Sequence, residues 1–191
     1  MCRGNVCQSP YIERLLAARL RDLDVDVSSA GTAALAGQGM QDDSARLLRK
    51  AGIEPGDFVA RQLTAEMLWD ADLVLTATRE IRREVVRLEP KALRYTHALI
   101  DFGDLVAGAD LGNPTITEAA NATRVGKLAA RAITGRGEVT ARRAVDAAIV
   151  DPYQKRGREY AAMAQQVGAV LPRLVGAAHD VISAADLYAH W

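Results

Sequence analysis

The residues best equipped for chemistry stand at the start of the chain: Met1-Cys2-Arg3-Gly4-Asn5-Val6-Cys7-Gln8-Ser9-Pro10. Cys2 supplies a thiol. Gly4 and Asn5 are the residue types that turn a backbone tightly and accept positive φ. Ser9 and Pro10 read as an N-cap and a first helical position. An apolar-periodic run follows, Tyr11-Ile12-Glu13-Arg14-Leu15-Leu16-Ala17-Ala18-Arg19-Leu20. The thiol therefore sits in a loop that feeds a helix N-terminus. Backbone N–H groups and partial positive charge collect at such a place and bind anions. The same surroundings favour the thiolate, the nucleophilic form. A thiolate beside an anion cradle predicts attack on phosphorus or a similar oxyanion.

The rest of the composition narrows the field. The chain has 191 residues, enough for one domain with a real core. Its 24 basic and 24 acidic side chains cancel, so no basic field points to nucleic acid. No apolar stretch is long enough to span a membrane, and no charged-then-apolar leader opens the chain. Cys2 and Cys7 make no disulfide framework and fit a reducing cytoplasm. Cys7 itself reads as a small buried apolar residue, or as a protective disulfide partner of Cys2 under oxidation. His97, His179 and His190 are scattered, so neither a metal nor an organic cofactor is expected. Nothing in the sequence bears on the oligomeric state.

The elements that must position the loop can be read in order. Residues 10–22 form an amphipathic helix. Val25-Asp26-Val27-Ser28-Ser29 alternates like a short strand, and Ala30-Gly31-Thr32 leaves it. Asp42-Asp43-Ser44 opens a helix to about Lys50, with Gly52 beyond its end. Thr64 caps a short helix over 65–69. Ala71–Thr76 is a continuous apolar strand, as in a parallel sheet buried on both faces. A helix over 78–88 stops before Pro90, with its arginines read as a solvated face. Residues 95–100 are another strand, and Asp101-Phe102 begins a helix. Asn113-Pro114 starts a helix to Thr134, and 140–149 is a second short one. A long helix from Arg158 is interrupted by Pro172. Strands alternating with helices predict an α/β fold wrapped around a parallel sheet.

Four strings together resemble the low molecular weight protein tyrosine phosphatases. The first is the loop, whose family pattern Cys-x-Gly-Asn-x-Cys-Arg-Ser-Pro is met at Cys2, Gly4, Asn5, Cys7, Ser9 and Pro10. The others are Ser29-Ala30-Gly31-Thr32, then Ala60-Arg61-Gln62-Leu63, then Asp151-Pro152-Tyr153. The resemblance covers most of residues 2–106 and 150–178. It implies a three-layer α/β sandwich with a four-stranded parallel sheet and helices on both faces. Residues 1–191 would be a single phosphatase-like domain, with an insertion at about 108–150 and a tail at about 180–191. It implies hydrolysis of phosphate monoesters through a cysteinyl-phosphate. Cys2 would be the nucleophile, Ser9 the hydroxyl that steadies it as leaving group, and Asp151 the general acid. The backbone of Arg3, Gly4, Asn5, Val6, Cys7 and Gln8 would hold the phosphoryl oxygens, and Tyr153 would line the mouth. The implied substrate is a phosphotyrosine protein or a small aryl phosphate, with no nucleic-acid or membrane partner.

The chain departs from the family at three places. Gln8 stands where the family has its phosphate-binding arginine. Glutamine keeps an amide but lacks the charge and the fork of guanidinium. Losing such a clamp costs phosphoryl transfer about 10³–10⁵-fold, so a weakened phosphatase is expected unless Arg3, at the rim, stands in. Phe58 occupies the position of a family histidine, which predicts a remodelled support for Asn5. Only Met1 precedes Cys2, where the family has an apolar strand; the reading favoured is a start further upstream, over a decayed or partner-completed chain. The alternatives to a working hydrolase are a catalytically weak phosphate-binding pseudophosphatase and, below it, an arsenate reductase, for which only Cys7 could resolve the nucleophile.

Overall fold

The computed structural model describes residues 1–112 and 123–188, with side chains as far as Val181. Helix α1 spans Gln8–Arg19 and buries Tyr11 and Leu15. Ser9 lies in its first turn and does not cap it, because its hydroxyl sits 3.0 Å from the Cys2 sulfur. Residues 25–28 alternate between half-buried valines and exposed polar residues. Among the described residues this stretch joins no strand; bridging begins only at Gly31, which faces Cys2 on one side and Gln62 on the other. Helix α2 runs Asp42–Lys50, and Gly52 beyond it has φ +74°. Thr64 caps α3 (Ala65–Trp69) through the Met67 N–H.

The sheet is shorter than expected. Among the described residues it has two parallel strands, β1 (Val74–Thr76) and β2 (Thr96–Ala98), with Val74 opposite Thr96 and Thr76 opposite Ala98. Helix α4 (Arg79–Leu88), capped by Thr78, makes the crossover between them. Met1 and Cys2 lie along the other edge of β1. The Met1 amine donates to the Leu75 carbonyl at 2.6 Å, and the Ala77 N–H donates to the Met1 carbonyl at 2.9 Å. The amine is buried, and burial lowers its pKa. Cys2, Gly31 and Gln62 continue the sheet as single bridges because each contributes too few paired groups for a ladder.

Helix α5 (Leu99–Gly108) follows β2 without a gap, so Leu99 and Ile100 are helical where a strand was expected. Helix α6 spans Arg124–Thr134; the first part of the helix expected from Asn113 falls outside the described residues. The helix expected over 140–149 is instead a turn. There the Arg142 guanidinium donates to Asp104 on α5 at 2.8 Å and Arg143 pairs with Asp146, tying the side chains to local partners. Helix α7 runs unbroken over Gly157–Tyr188 with Pro172 inside it. A proline frees the carbonyl four residues before it. Here that residue is Gly168, and both lie on the exposed side, where water can replace the lost bond.

Two apolar clusters flank the sheet. The larger joins Val6, Cys7 and Tyr11 to Phe102 of α5, Ile149, and Met163, Val167 and Leu174 of α7. The smaller packs Leu68, Ile81, Val85 and Ala92 around Val74. Helices thus cover both faces, as an α/β layered fold requires. Among the described residues no helix is long and apolar enough to cross a membrane.

Candidate active site

Asn5 organises the loop from behind. It is fully buried and holds φ +56°, the left-handed conformation asparagine tolerates. Its Oδ1 accepts the Arg61 N–H at 2.8 Å. That fixes the amide orientation, so Nδ2 donates to Ser29 Oγ at 2.8 Å and to Ser9 Oγ at 2.9 Å. Ser29 passes its own proton to Glu13 Oε2 at 2.6 Å. Ser9, with one lone pair occupied by Asn5, lies 3.0 Å from the Cys2 sulfur, where either atom can be the donor. The Asn5 backbone N–H also reaches that sulfur, at 3.3 Å. A hydroxyl and a backbone N–H thus both lie within hydrogen-bond reach of one sulfur.

The segment after Ala30 turns the loop inside out. Thr32, Ala33, Leu35 and Gln41 donate their N–H groups to the carbonyls of Cys2, Arg3, Gly4 and Val6 at 2.9–3.0 Å. No peptide in the described chain is cis. In a trans peptide the N–H opposes the carbonyl, so the amides of Arg3, Gly4, Asn5 and Cys7 point to the ring interior. Gly31 allows this approach: a Cβ there would stand 2.4 Å from the Arg3 oxygen. Its glycine is required by contact with neighbouring backbone and not by positive φ.

A pocket opens over this ring. It is lined by Cys2, Arg3, Gly4, Val6, Cys7 and Gln8 from the loop, Ala33 and Leu35 beside it, and Asp151 and Tyr153 from the other end of the chain. The expected site residues are therefore together, with Asn5 and Ser9 buried behind the wall. Arg3 is exposed at the rim. Asp151 is exposed as well and accepts the Tyr153 N–H at 3.1 Å, a local Asx turn. Gln8 lines the pocket, but its amide nitrogen turns away from it, donating to the carbonyls of Ile149 at 2.9 Å and Val150 at 3.1 Å. Phe58 takes no part in the Asn5 network and lies under the Arg14 guanidinium, 5.8 Å from the ring centre.

Cys7 is chemically unlike Cys2. Its sulfur lies 3.5 Å from the Tyr160 hydroxyl. Burial pushes its pKa up to about 11, although the tyrosine bond pulls the other way. Both cysteines are free thiols. Among the described residues no group of three or more His, Cys, Asp or Glu is placed to hold a metal. Glu13, Tyr160 and Gln166 were not singled out by the sequence. Glu13 and Gln166 are common helix-surface types, and only long-range contact gives them a role. Ser29 was marked by its Ser-Ala-Gly-Thr string, though not by its bond to Asn5.

Comparison with known proteins places the chain among phosphatases by sequence and by fold. Residues 1–126 match the family model described as low molecular weight phosphotyrosine protein phosphatase. The chain is 35% identical over 114 residues to the low molecular weight protein-tyrosine-phosphatase Etp of Escherichia coli K12, covering 60% of this chain and 74% of that one. The crystal structure of the Erwinia amylovora tyrosine phosphatase AmsI superposes with TM-score 0.59 at 25% identity, over 96% of this chain and 88% of that one. The tyrosine phosphatase Wzb from Escherichia coli K30, solved with sulphate, shares the fold with TM-score 0.64 at 20% identity, over 92% of each chain.

Proposed function

Because this chain belongs to the low molecular weight phosphotyrosine protein phosphatase family, we propose that it hydrolyses phosphate monoesters of phosphotyrosine or small aryl type through Cys2. The Cys2 thiolate attacks phosphorus as the ester P–O bond breaks. The leaving oxygen takes a proton from the Asp151 carboxyl. Water then gives a proton back to Asp151 and attacks the cysteinyl-phosphate, and the S–P bond breaks with Ser9 donating to the returning thiolate. The ring amides hold the oxygens that gain charge, and Tyr153 stacks on the aryl group. The observation that carries this reading is the Cys2 sulfur held by the Ser9 hydroxyl and the Asn5 N–H in a pocket shared with Asp151. The four-stranded sheet belongs to the same reading: Gly31, Cys2, β1 and β2 lie side by side in that order. So do a single domain over 1–191, with the 108–150 segment as an elaboration on it, and a reducing cytoplasm that keeps both thiols free.

A second reading, phosphate binding with little turnover, is favoured by Gln8. Its amide nitrogen is committed to the Ile149 and Val150 carbonyls, and Arg3 at the rim is the cation among the lining residues described. Arsenate reduction fits less well, since Cys7 stays protonated near neutral pH. The test is turnover of p-nitrophenyl phosphate beside Cys2→Ser, Asp151→Asn, Arg3→Ala and Gln8→Arg. Turnover abolished by Cys2→Ser and cut about 10²–10⁴-fold by Asp151→Asn supports the hydrolase. Loss on Arg3→Ala makes Arg3 the stand-in cation. An inactive protein rescued by Gln8→Arg supports the binding role, and turnover untouched by Cys2→Ser sinks both.

A further inference from the structure

We propose that Gln8 and Gln166 are positioning residues that clamp the chain immediately before Asp151 from opposite sides. The proposal rests on Asp151 being the acid of the reaction above. Every backbone polar group from the Ala148 carbonyl to the Val150 carbonyl is bonded to a distant partner. Gln166 Nε2, on α7, donates to the Ala148 carbonyl at 3.1 Å, and Gln166 Oε1 accepts the Val150 N–H at 2.8 Å. The Ile149 N–H donates to the Ala77 carbonyl at the end of β1, at 2.9 Å. Gln8 Nε2, on α1, takes the Ile149 and Val150 carbonyls. Both amide orientations are settled by their neighbours: Gln8 faces two acceptors, and Gln166 faces one acceptor and one donor. The Ile149 side chain, 2% exposed, pegs the same stretch into the core.

Beyond Val150 the anchoring changes character. Among the described residues Asp151 and Pro152 bond only within the loop, to the N–H groups of Tyr153 and Lys155. The acid is thus the first residue past the clamp, and its place over the pocket depends on how firmly 148–150 are held. Gln8 suits this use. A neutral amide can give both hydrogens to carbonyls, so at this position the chain has a link between the phosphate loop and the acid loop in place of a charged phosphate ligand. Misplacing a catalytic group by an ångström can cost about 10²-fold, so such anchors shape catalysis without touching substrate.

The experiment uses Gln166→Met, which keeps the stem and removes both bonds, beside Gln166→Ala. Amide hydrogen exchange at Ile149 and Val150 should quicken about tenfold, the equivalent of one or two net hydrogen bonds. On phenyl phosphate, whose leaving oxygen needs the acid, kcat/KM, which reports the first P–O cleavage and not the later hydrolysis of the cysteinyl-phosphate, should fall about tenfold. On 2,4-dinitrophenyl phosphate, which leaves without help, it should change less than about twofold. In an Asp151→Asn background the substitution should add nothing, as expected when two residues act through one step. Unchanged exchange overturns the clamp. Equal losses on both esters, or an additive loss in the Asp151→Asn background, make Gln166 merely structural. If Asp151→Asn alone leaves phenyl phosphate turnover intact, or the protein has no turnover, the assignment of the acid fails and exchange alone decides whether the loop is clamped.

Discussion

The two loops that meet at the pocket are held in opposite ways. The phosphate loop is short-range and self-sufficient. Its carbonyls are bound by residues 32–41, and its asparagine by Ser9, Ser29 and the Arg61 backbone, all within the first third of the chain. The acid loop is long-range and dependent. Its backbone is held by Gln8, Ala77 and Gln166 across |i−j| of up to 142. Cys2, the proposed nucleophile, therefore sits in a network with little freedom to relax, while Asp151, the proposed acid, hangs from a few replaceable bonds. Perturbing the first should cost the fold; perturbing the second should cost the chemistry.

The largest effect expected is Asn5→Ala. It leaves the Arg61 N–H without its acceptor and two buried serines without their donor, at about 1–3 kcal/mol for each buried group left unsatisfied. A loss of several kcal/mol is a large share of a domain's stability, roughly 5–15 kcal/mol. Urea unfolding should show the midpoint collapse, and any folded fraction should lose turnover. Gly31→Ala should act similarly, because its Cβ meets backbone at 2.4 Å. An Asn5→Ala protein with wild-type stability breaks the comparison, since the loop would then not be self-supporting.

This contrast also explains what the sequence could and could not reveal. Local rules found the loop, the Thr64 cap and Gly52, because each rests on neighbours within a few residues; Thr78 was read inside its helix and instead caps it. The Ser29-Ala30-Gly31-Thr32 string was legible as part of the resemblance. Gln8 was read as a lost phosphate ligand, because its spacing matches the family arginine; that its nitrogen faces Ile149 and Val150 depends on partners far along the chain. Gln166 carried no signal at all. The turn at 140–149 was read as a helix because propensity says nothing of the salt bridge from Arg142 to Asp104. Pro172 looked like a break because sequence alone does not show that its orphaned carbonyl faces water.

A perturbation beneath both loops should move them together. His97 on β2 is buried against Phe102, with ring centres 5.2 Å apart. Burial, then the charges of Arg82 and Arg136, lower its pKa to about 4, with Asp101 opposing. In the unfolded chain it titrates near 6.5, the ordinary value of a histidine. The neutral folded form is thus fully favoured above pH 6.5. That contribution drains away as pH falls toward 4, because the unfolded state takes the proton first. The loss approaches about 3 kcal/mol. Urea midpoints from pH 7 to 4 should fall, and His97→Gln should flatten that slope. Unaltered pH dependence in the variant would place the acid sensitivity elsewhere.

The smallest effect sits where the two regions touch. Tyr160 of α7 bonds Cys7, so the phosphate loop has one support from the same helix that holds the acid loop. The bond lowers the Cys7 pKa while burial raises it to about 11. Tyr160→Phe should therefore push the thiol still higher and cost about 0.5–1.5 kcal/mol, one net hydrogen bond. Because the folded thiol holds its proton longer than a free one, stability should decline as pH rises from 9 through 11; burial raises the Tyr160 pKa too, which adds to the decline above pH 10 in the wild type alone, so the variant should decline less steeply there. Iodoacetamide at pH 8 should leave Cys7 unlabelled in both proteins, read by peptide mass spectrometry. Rapid labelling of Cys7 would mean that α7 opens away from the phosphate loop. The loop's independence would then end at this contact, and the two regions would share one local unfolding unit.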